Sequence, residues 1–263
     1  MSHEPTVHLE RDEHGVVTLI LDDARRRNAM TPELGDALAA RVRELVKDET
    51  VRAVVLTGAG GAFSGGGDLA MLERLRTVSA AEAESFMLDF YARYLSITSL
   101  SVPTIAALDG PAIGAGLCVA MACDLCVVDE DAKLALNFAK LGLHPGMGAT
   151  YLAPLRAGAM RGAELLYSGR RFDGREAQRL GLALEAVPTS EVRGRAALLA
   201  REIASAAPLA IRGLHRTLGI DRAALARALA HEAREQALSY ASADLGEGLR
   251  AATEKRAPRF TGR

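Results

Sequence analysis

The sequence predicts an α/β fold, on three observations. Short β-rich runs alternate with helical periodicity through the first half of the 263 residues. Two glycine-rich turns, "TGAGGAFSGGGDL" and "GPAIGAGLCVA", each follow a strand pattern and enter a helical one. From about Glu191 the pattern becomes helix after helix. With 49% hydrophobic and 25% charged residues, the chain buries a sizeable core. The expected division is an α/β core over residues 1–190 and a helical region over 191–263. The helical part holds too little apolar material to stand alone, so it is expected to pack on the core and on neighbouring subunits.

Taken in order, "TVHLER" and "VVTLIL" read as strands around the turn "DEHG". A helix starts at Thr31, with Pro32 in the first helical position where its missing N–H costs nothing, and runs to about Lys47. "AVVLTG" is apolar enough for a buried strand. After the glycine-rich loop 58–67 come a short helix from Asp68 and a longer one over 80–98. The strand "TIAAL" follows Pro103, then the helix opened by "GAGLCVA", then the strand "LCVV". The last third reads as the helices "EVRGRAALLAREIASAA", "PLAIRGLHRTL" and "DRAALARALAHEAREQALSYA", with a basic tail "EKRAPRFTGR". There is no fixed-period repeat.

Lys plus Arg total 32 against 33 for Asp plus Glu, so no net field gathers nucleic acid or an anionic membrane, and neither is an expected partner. Cys118, Cys123 and Cys126 fall within a nine-residue, mostly apolar stretch, with neither a disulfide framework nor flanking metal ligands, which suits a reducing cytoplasm. No metal is expected. "MSHEPTVHLERDEHG" is charged and has no apolar stretch of signal-peptide length, and no apolar run approaches membrane-spanning length. A cytoplasmic location is expected.

A strand–glycine turn–helix element either cradles a phosphate or aims backbone amides at a reacting carbonyl. The phosphate reading fails at both turns. Gly58-x-Gly60 meets Phe63 where the third glycine of a dinucleotide turn belongs, and Gly114-x-Gly116 leads to Val119, with no strand-end acid placed for a ribose. The other reading needs the two turns together. Glycines permit positive φ and close backbone approach, so two such turns side by side direct two N–H donors at one oxygen, an oxyanion hole.

The stretch "AFSGGGDLAML" resembles the A-F-x-x-G-x-D-[IL] loop of the crotonase superfamily, the enoyl-CoA hydratases and isomerases. "VPTIAALDGPAIGAGLCVAMACDLCVV" resembles its P-x-I-A-x-x-x-G-x-A-x-G-x-G segment. The likeness runs in order through "LILDDARRRNAMTPEL", "LGLHPGMGATYLAPLRAG", "SGRRFDGREAQRLGLALEAVP" and "EGLRAATEKRAPRF". It implies a crotonase-like spiral of ββα units with a C-terminal helical trimerisation region, and homotrimers or hexamers. It also implies an acyl-CoA thioester as substrate, coenzyme A entering as part of it and no separate cofactor being required. By this resemblance Gly67 and Ala115 supply the two amides, Asp68 caps the following helix, and Arg25, Arg27 and Ala29 lie along the adenine and pantetheine path. Gly65, Leu69, Pro111 and Ile113 on the two turns, and Lys255 and Phe260 in the tail, complete the implied contacts.

The sequence departs from the family where the acids belong. Hydration across a conjugated double bond uses one carboxylate to orient water and another to handle the α-proton. Here the first of those positions is Cys118 and the second, about twenty residues on, is Phe138; a third, used by some isomerases and hydrolases, is Gly146. His144, whose imidazole can donate or accept a proton, is the candidate proton carrier, against a structural hydrogen bond ahead of Pro145. Cys118 is nucleophilic only as a thiolate, and its apolar neighbours favour a packing role. Phe138 makes its wall drier. Both Cys118 and Phe138 are expected at the substrate. The sequence therefore leaves two leading classes open, an enolate-stabilising enzyme acting by isomerisation, decarboxylation or a related lyase step, and a non-catalytic acyl-CoA binding protein. A dinucleotide oxidoreductase is the third.

Overall fold

The computed structural model describes residues 4–263. The chain opens with a hairpin, β1 (Thr6–Arg11) and β2 (Val16–Asp22), and passes through α1 (Pro32–Val46) to β3 (Ala53–Gly58). The first glycine loop leads into α2 (Leu69–Leu75) and α3 (Ala80–Tyr94), and then β4 (Thr104–Leu108). The second leads through β5 (Ala112–Ile113) into α4 (Ala115–Ala122), followed by β6 (Leu125–Asp129) and β7 (Leu134–Ala135). Next come α5 (Ala149–Ala157), α6 (Ala159–Ser168), β8 (Arg171–Phe172), α7 (Gly174–Leu180) and β9 (Glu185–Val187). Four helices finish the chain, α8 (Val192–Ala204), α9 (Pro208–Leu218), α10 (Arg222–Tyr240) and α11 (Ala243–Glu254).

The main sheet has the order β1-β2-β3-β4-β6-β9. Only the hairpin is antiparallel, with Thr6 opposite Asp22 and Arg11 opposite Val17; every later pair is parallel, as helical crossovers demand. A parallel sheet is covered on both faces, and the side-chain period of two explains how. Val54, Leu56, Ala106 and Leu108 point into the larger core, which also receives α1, α3 and α10. Their neighbours Ala53, Val55, Ile105 and Ala107 point the other way, onto Val192, Ala196, Ala200 and Ala204 of α8. The helical region thus packs on the strands, and its first helix closes the second face of the sheet.

The helices start where sequence chemistry places them. Thr31 caps α1 by accepting from Leu34 N, Ser79 and Glu82 form a capping box on α3, and Asp68 caps α2 by accepting from Met71 N at 2.8 Å. The expected helix over 80–98 ends as α-helix at Tyr94 and continues as a tighter 3-10 turn, Leu95–Ser99. There Ser96 and Thr98 hydroxyls donate to carbonyls three residues back, which favours the tighter winding. A small second sheet, β5-β7-β8, lies beside the glycine turns and sets their relation.

Candidate active site

The first glycine loop is held by Asn28. This buried residue accepts from Asp23 N, and its amide donates to Ala59 O and Ala62 O at 3.0 and 2.7 Å. Its φ of 52° is a left-handed value that Asn tolerates better than most side chains. Ser64 Oγ donates to Asn28 O, and Gly65 N to Arg27 O, so the loop 59–66 is clamped onto the segment 23–28. Asn28→Ala leaves two carbonyls and an amide without their partner and is expected to cost about 2–4 kcal/mol, read as a lower denaturant midpoint with an unchanged m-value.

The second turn lies against the first. Ser64 and Ala112 form a parallel bridge, Ile113 N donates to Ser64 O, and Gly114 N donates to Ala135 O on β7. Glycine is required twice here. A Cβ on Gly66, at φ 89°, would meet Ile113 O at 2.7 Å, and one on Gly116 would meet the Ser64 side chain at 2.6 Å. Gly114 takes φ 53° at the N-cap of α4, with no side chain capping the helix. α4 is apolar on every side and all but its first residue is buried, while Arg156 donates to Met121 O and Cys123 O at its other end.

The geometry leaves two amides unused. Met30 N donates to Gly66 O and Asp68 N donates to Met30 O, so the Gly67 amide between them is directed away from Met30. Ala115 is the first residue of α4, where no intrahelical acceptor exists. Neither Gly67 N nor Ala115 N has an acceptor among the described residues. Both residues line one cavity of about 160 Å³. Its walls come from both glycine turns, from α2, α3 and α10, and from the segment 137–147, with Ala252 of α11 at one edge. Among the described lining residues none is Asp, Glu, His, Lys or Arg; the polar side chains are Tyr91, Asn137, Gln236 and Tyr240.

The comparisons with known proteins agree with this architecture. Residues 11–263 match the family model described as enoyl-CoA hydratase/isomerase. The chain belongs to the enoyl-CoA hydratase/isomerase family. It is 38% identical to a Thermus thermophilus member of the family over 93% of this chain and 97% of that protein. It is 36% identical to human mitochondrial methylglutaconyl-CoA hydratase, over 97% of this chain and 76% of that one. The crystal structure of an enoyl-CoA hydratase from Bacillus halodurans superposes with a TM-score of 0.85 at 25% identity, covering 93% of this chain and 99% of that one.

As a member of that family, the chain places its expected site residues unevenly. Gly65, Gly67, Leu69, Ile113, Ala115 and Phe138 line the cavity together. Pro111 stands one step back, its carbonyl accepting from Phe63 N and Ser64 N. Asp68 caps α2 and lies 4.0 Å from Arg26. Arg25 and Arg27 are exposed on the clamped segment with no ion pair among the described residues, and Ala29 is half-buried beside them. Lys255 ends α11 in a left-handed conformation and Phe260 is 43% exposed; the tail folds back on its own helix, Arg259 N and Thr261 N donating to Glu247 and Asp244. Neither residue lines the cavity.

Two expectations are corrected. His144, the expected proton carrier, does not line the cavity: its Nδ1 lies 2.7 Å from Pro145 O, and its ring packs edge-on against His231 with centroids 6.1 Å apart. Its backbone, not its imidazole, serves the site, since His144 O accepts from Gln236 Nε2. Cys118 is also absent from the wall; it is 0% exposed, and burial, reinforced by Glu232 nearby, pushes its thiol well above the usual range. That rules out a resting thiolate.

Sequence reasoning missed the side of the cavity built by α3 and α10. Tyr91 and Tyr240 carried no pattern beyond helical core spacing, and Gln236 sits in a polar-looking run. Glu232 was also missed. Fully buried on α10, its carboxylate accepts from Gly148 N, Thr150 N and Thr150 Oγ1 at 2.7, 2.7 and 2.6 Å, capping α5 from another helix. Burial raises its pKa to about 6 despite those bonds. It pins the adjacent left-handed residues Met147 and Gly148, at φ 61° and 77°, where the chain turns along the cavity.

Proposed function

We propose that this chain binds an acyl-CoA thioester, polarises its carbonyl between Gly67 N and Ala115 N, and stabilises the enolate formed at the α-carbon. One observation carries the reading: two backbone amides with no acceptor among the described residues belong to two turns laced together that line the same cavity. Fixed amides in a dry site stabilise developing negative charge without reorganising, each worth about a hundred- to a thousandfold in rate. Arg25 and Arg27, exposed on the segment beside the loop, are placed for the phosphates of coenzyme A. The family likeness supports homotrimers or hexamers, with α9 presenting the exposed Leu214 and Leu218, one turn apart, toward a neighbour.

The chemistry proposed is isomerisation, decarboxylation or a related lyase step and not standard hydration. Activating water takes a base in hydrogen-bond reach, and the described cavity wall offers no carboxylate or imidazole. Crotonyl-CoA hydration, followed by loss of the conjugated enoyl absorbance, is expected to run at least about 10²–10⁴-fold below that of a hydratase carrying both carboxylates, the factor a general acid–base group supplies. The same absence favours a second reading, a non-catalytic acyl-CoA binding protein. A panel of acyl-CoAs assayed by mass spectrometry together with calorimetric binding separates them: product from any thioester supports the enzyme, tight binding with no product across the panel supports the carrier, and no thioester binding removes both.

A further inference from the structure

The wall formed by α3 and α10 carries a hydrogen-bonding cluster that the oxyanion reading does not use. Tyr91 OH donates to Gln236 Oε1 at 2.8 Å. Tyr240 OH lies 3.5 Å from that same oxygen and 3.3 Å from the thioether of Met87. A thioether is a weak acceptor, and a buried phenol ordinarily finds a full one. Gln236 Nε2 uses one hydrogen on His144 O at 2.8 Å, and its other hydrogen has no partner among the described residues. All of these side chains line the cavity. Gln236 Oε1 receives both phenols, Tyr91 at 2.8 Å and Tyr240 only at 3.5 Å, so the Tyr240 hydroxyl and the second Gln236 Nε2 hydrogen are the donors least well used. Gly146 preserves the space, since a Cβ there would collide with Tyr91 Oη and Gln236 Nε2.

Charge decides what this cluster receives. No cation lines the cavity among the described residues, and the buried carboxylate of Glu232 sits one helical turn before Gln236, where it adds to burial in opposing ionisation of the Tyr91 phenol. A second carboxylate on the acyl chain would be buried without a counter-charge and beside a like one, which is costly. An uncharged oxygen acceptor meets the unused donors without that cost.

We infer that Tyr240 and Gln236, aligned by Tyr91, select acyl-CoA thioesters whose acyl chain bears an uncharged hydrogen-bond acceptor, such as a hydroxyl or keto oxygen beyond the α-carbon, and reject acyl chains ending in a carboxylate. This rests on the thioester reading above and narrows it, removing decarboxylation of a carboxylated acyl group from the proposed steps. It also separates this chain from the methylglutaconyl type of substrate that the human relative's name specifies.

The test is calorimetric binding of butyryl-CoA, 3-hydroxybutyryl-CoA and glutaryl-CoA to the full chain and to Tyr240→Phe. The hydroxyacyl thioester is expected to bind about three- to tenfold tighter than butyryl-CoA, the range of one net neutral hydrogen bond, and glutaryl-CoA at least tenfold weaker than butyryl-CoA. In Tyr240→Phe the hydroxyacyl-to-acyl affinity ratio falls toward one. Equal affinities for the three thioesters, glutaryl-CoA binding as tightly as butyryl-CoA, or an unchanged ratio in the variant would each overturn the inference while leaving the thioester site standing. Failure of every thioester to bind would overturn both.

Discussion

Ala115→Pro is expected to fold with a thermal midpoint within a few degrees of the parent and to lose about two to three orders of magnitude in kcat/KM for whichever thioester the panel shows to react. The substitution replaces the amide hydrogen by the ring Cδ, so it removes the donor and puts a methylene where the carbonyl oxygen would sit. Ala115 is the first residue of α4, the helical position that proline tolerates best, and its N–H donates to nothing among the described residues. Cα, Cβ and the helical φ are retained. If the amide stabilises charge that develops in the reaction, kcat falls more than KM rises; if it only orders the loop, stability changes and the rate follows it. A variant that is fully active refutes a role for this amide.

Removing the buried Glu232 carboxylate has the largest expected effect on stability. Glu232→Ala leaves Gly148 N, Thr150 N and the Thr150 hydroxyl without their acceptor at the start of α5, and is expected to cost about 3–5 kcal/mol. Glu232→Gln tests the electrostatics. Burial raises the carboxyl from 4.5 to about 6 in the folded chain, so between those values the folded state holds more proton than the unfolded one. The stability this provides is complete below pH 4.5 and is lost as pH rises through about 6. Relative to Glu232→Gln, the parent should therefore lose about 2 kcal/mol of unfolding free energy across that window, measured by urea titration at a series of pH values. A parent that gains stability relative to the variant over the same window contradicts the burial argument.

The α/β class, the main-sheet strands over the first 128 residues and the helices after residue 191 were legible because they follow single-chain rules: β-branched apolar runs, a proline at a first helical turn, and capping Thr, Ser and Asp. The stretch between β6 and α8 was not resolved into elements. There β7 and β8 are two residues long, α5 contains Pro154, and Gly158 and Gly169 interrupt an Ala-rich run, so no period has room to repeat. The two glycine turns were legible as a pair because positive φ and close approach demand glycine. What they lean on was not. Asn28 reads as a polar loop residue until its bonds to Ala59 and Ala62 close a gap of more than thirty positions. His144 stands off the cavity wall for a related reason: sequence places a residue near a site, but only packing says whether its backbone or its ring faces inward.

The direct test of the paired amides is the carbonyl stretch of a bound acyl-CoA, read by isotope-edited difference infrared spectroscopy with the thioester carbon labelled. Two converging donors weaken the C=O bond, so the band should shift to lower frequency on binding to the parent and recover part of that shift in Ala115→Pro. A bound thioester whose carbonyl absorbs as it does in water, unaltered by the variant, would contradict the account.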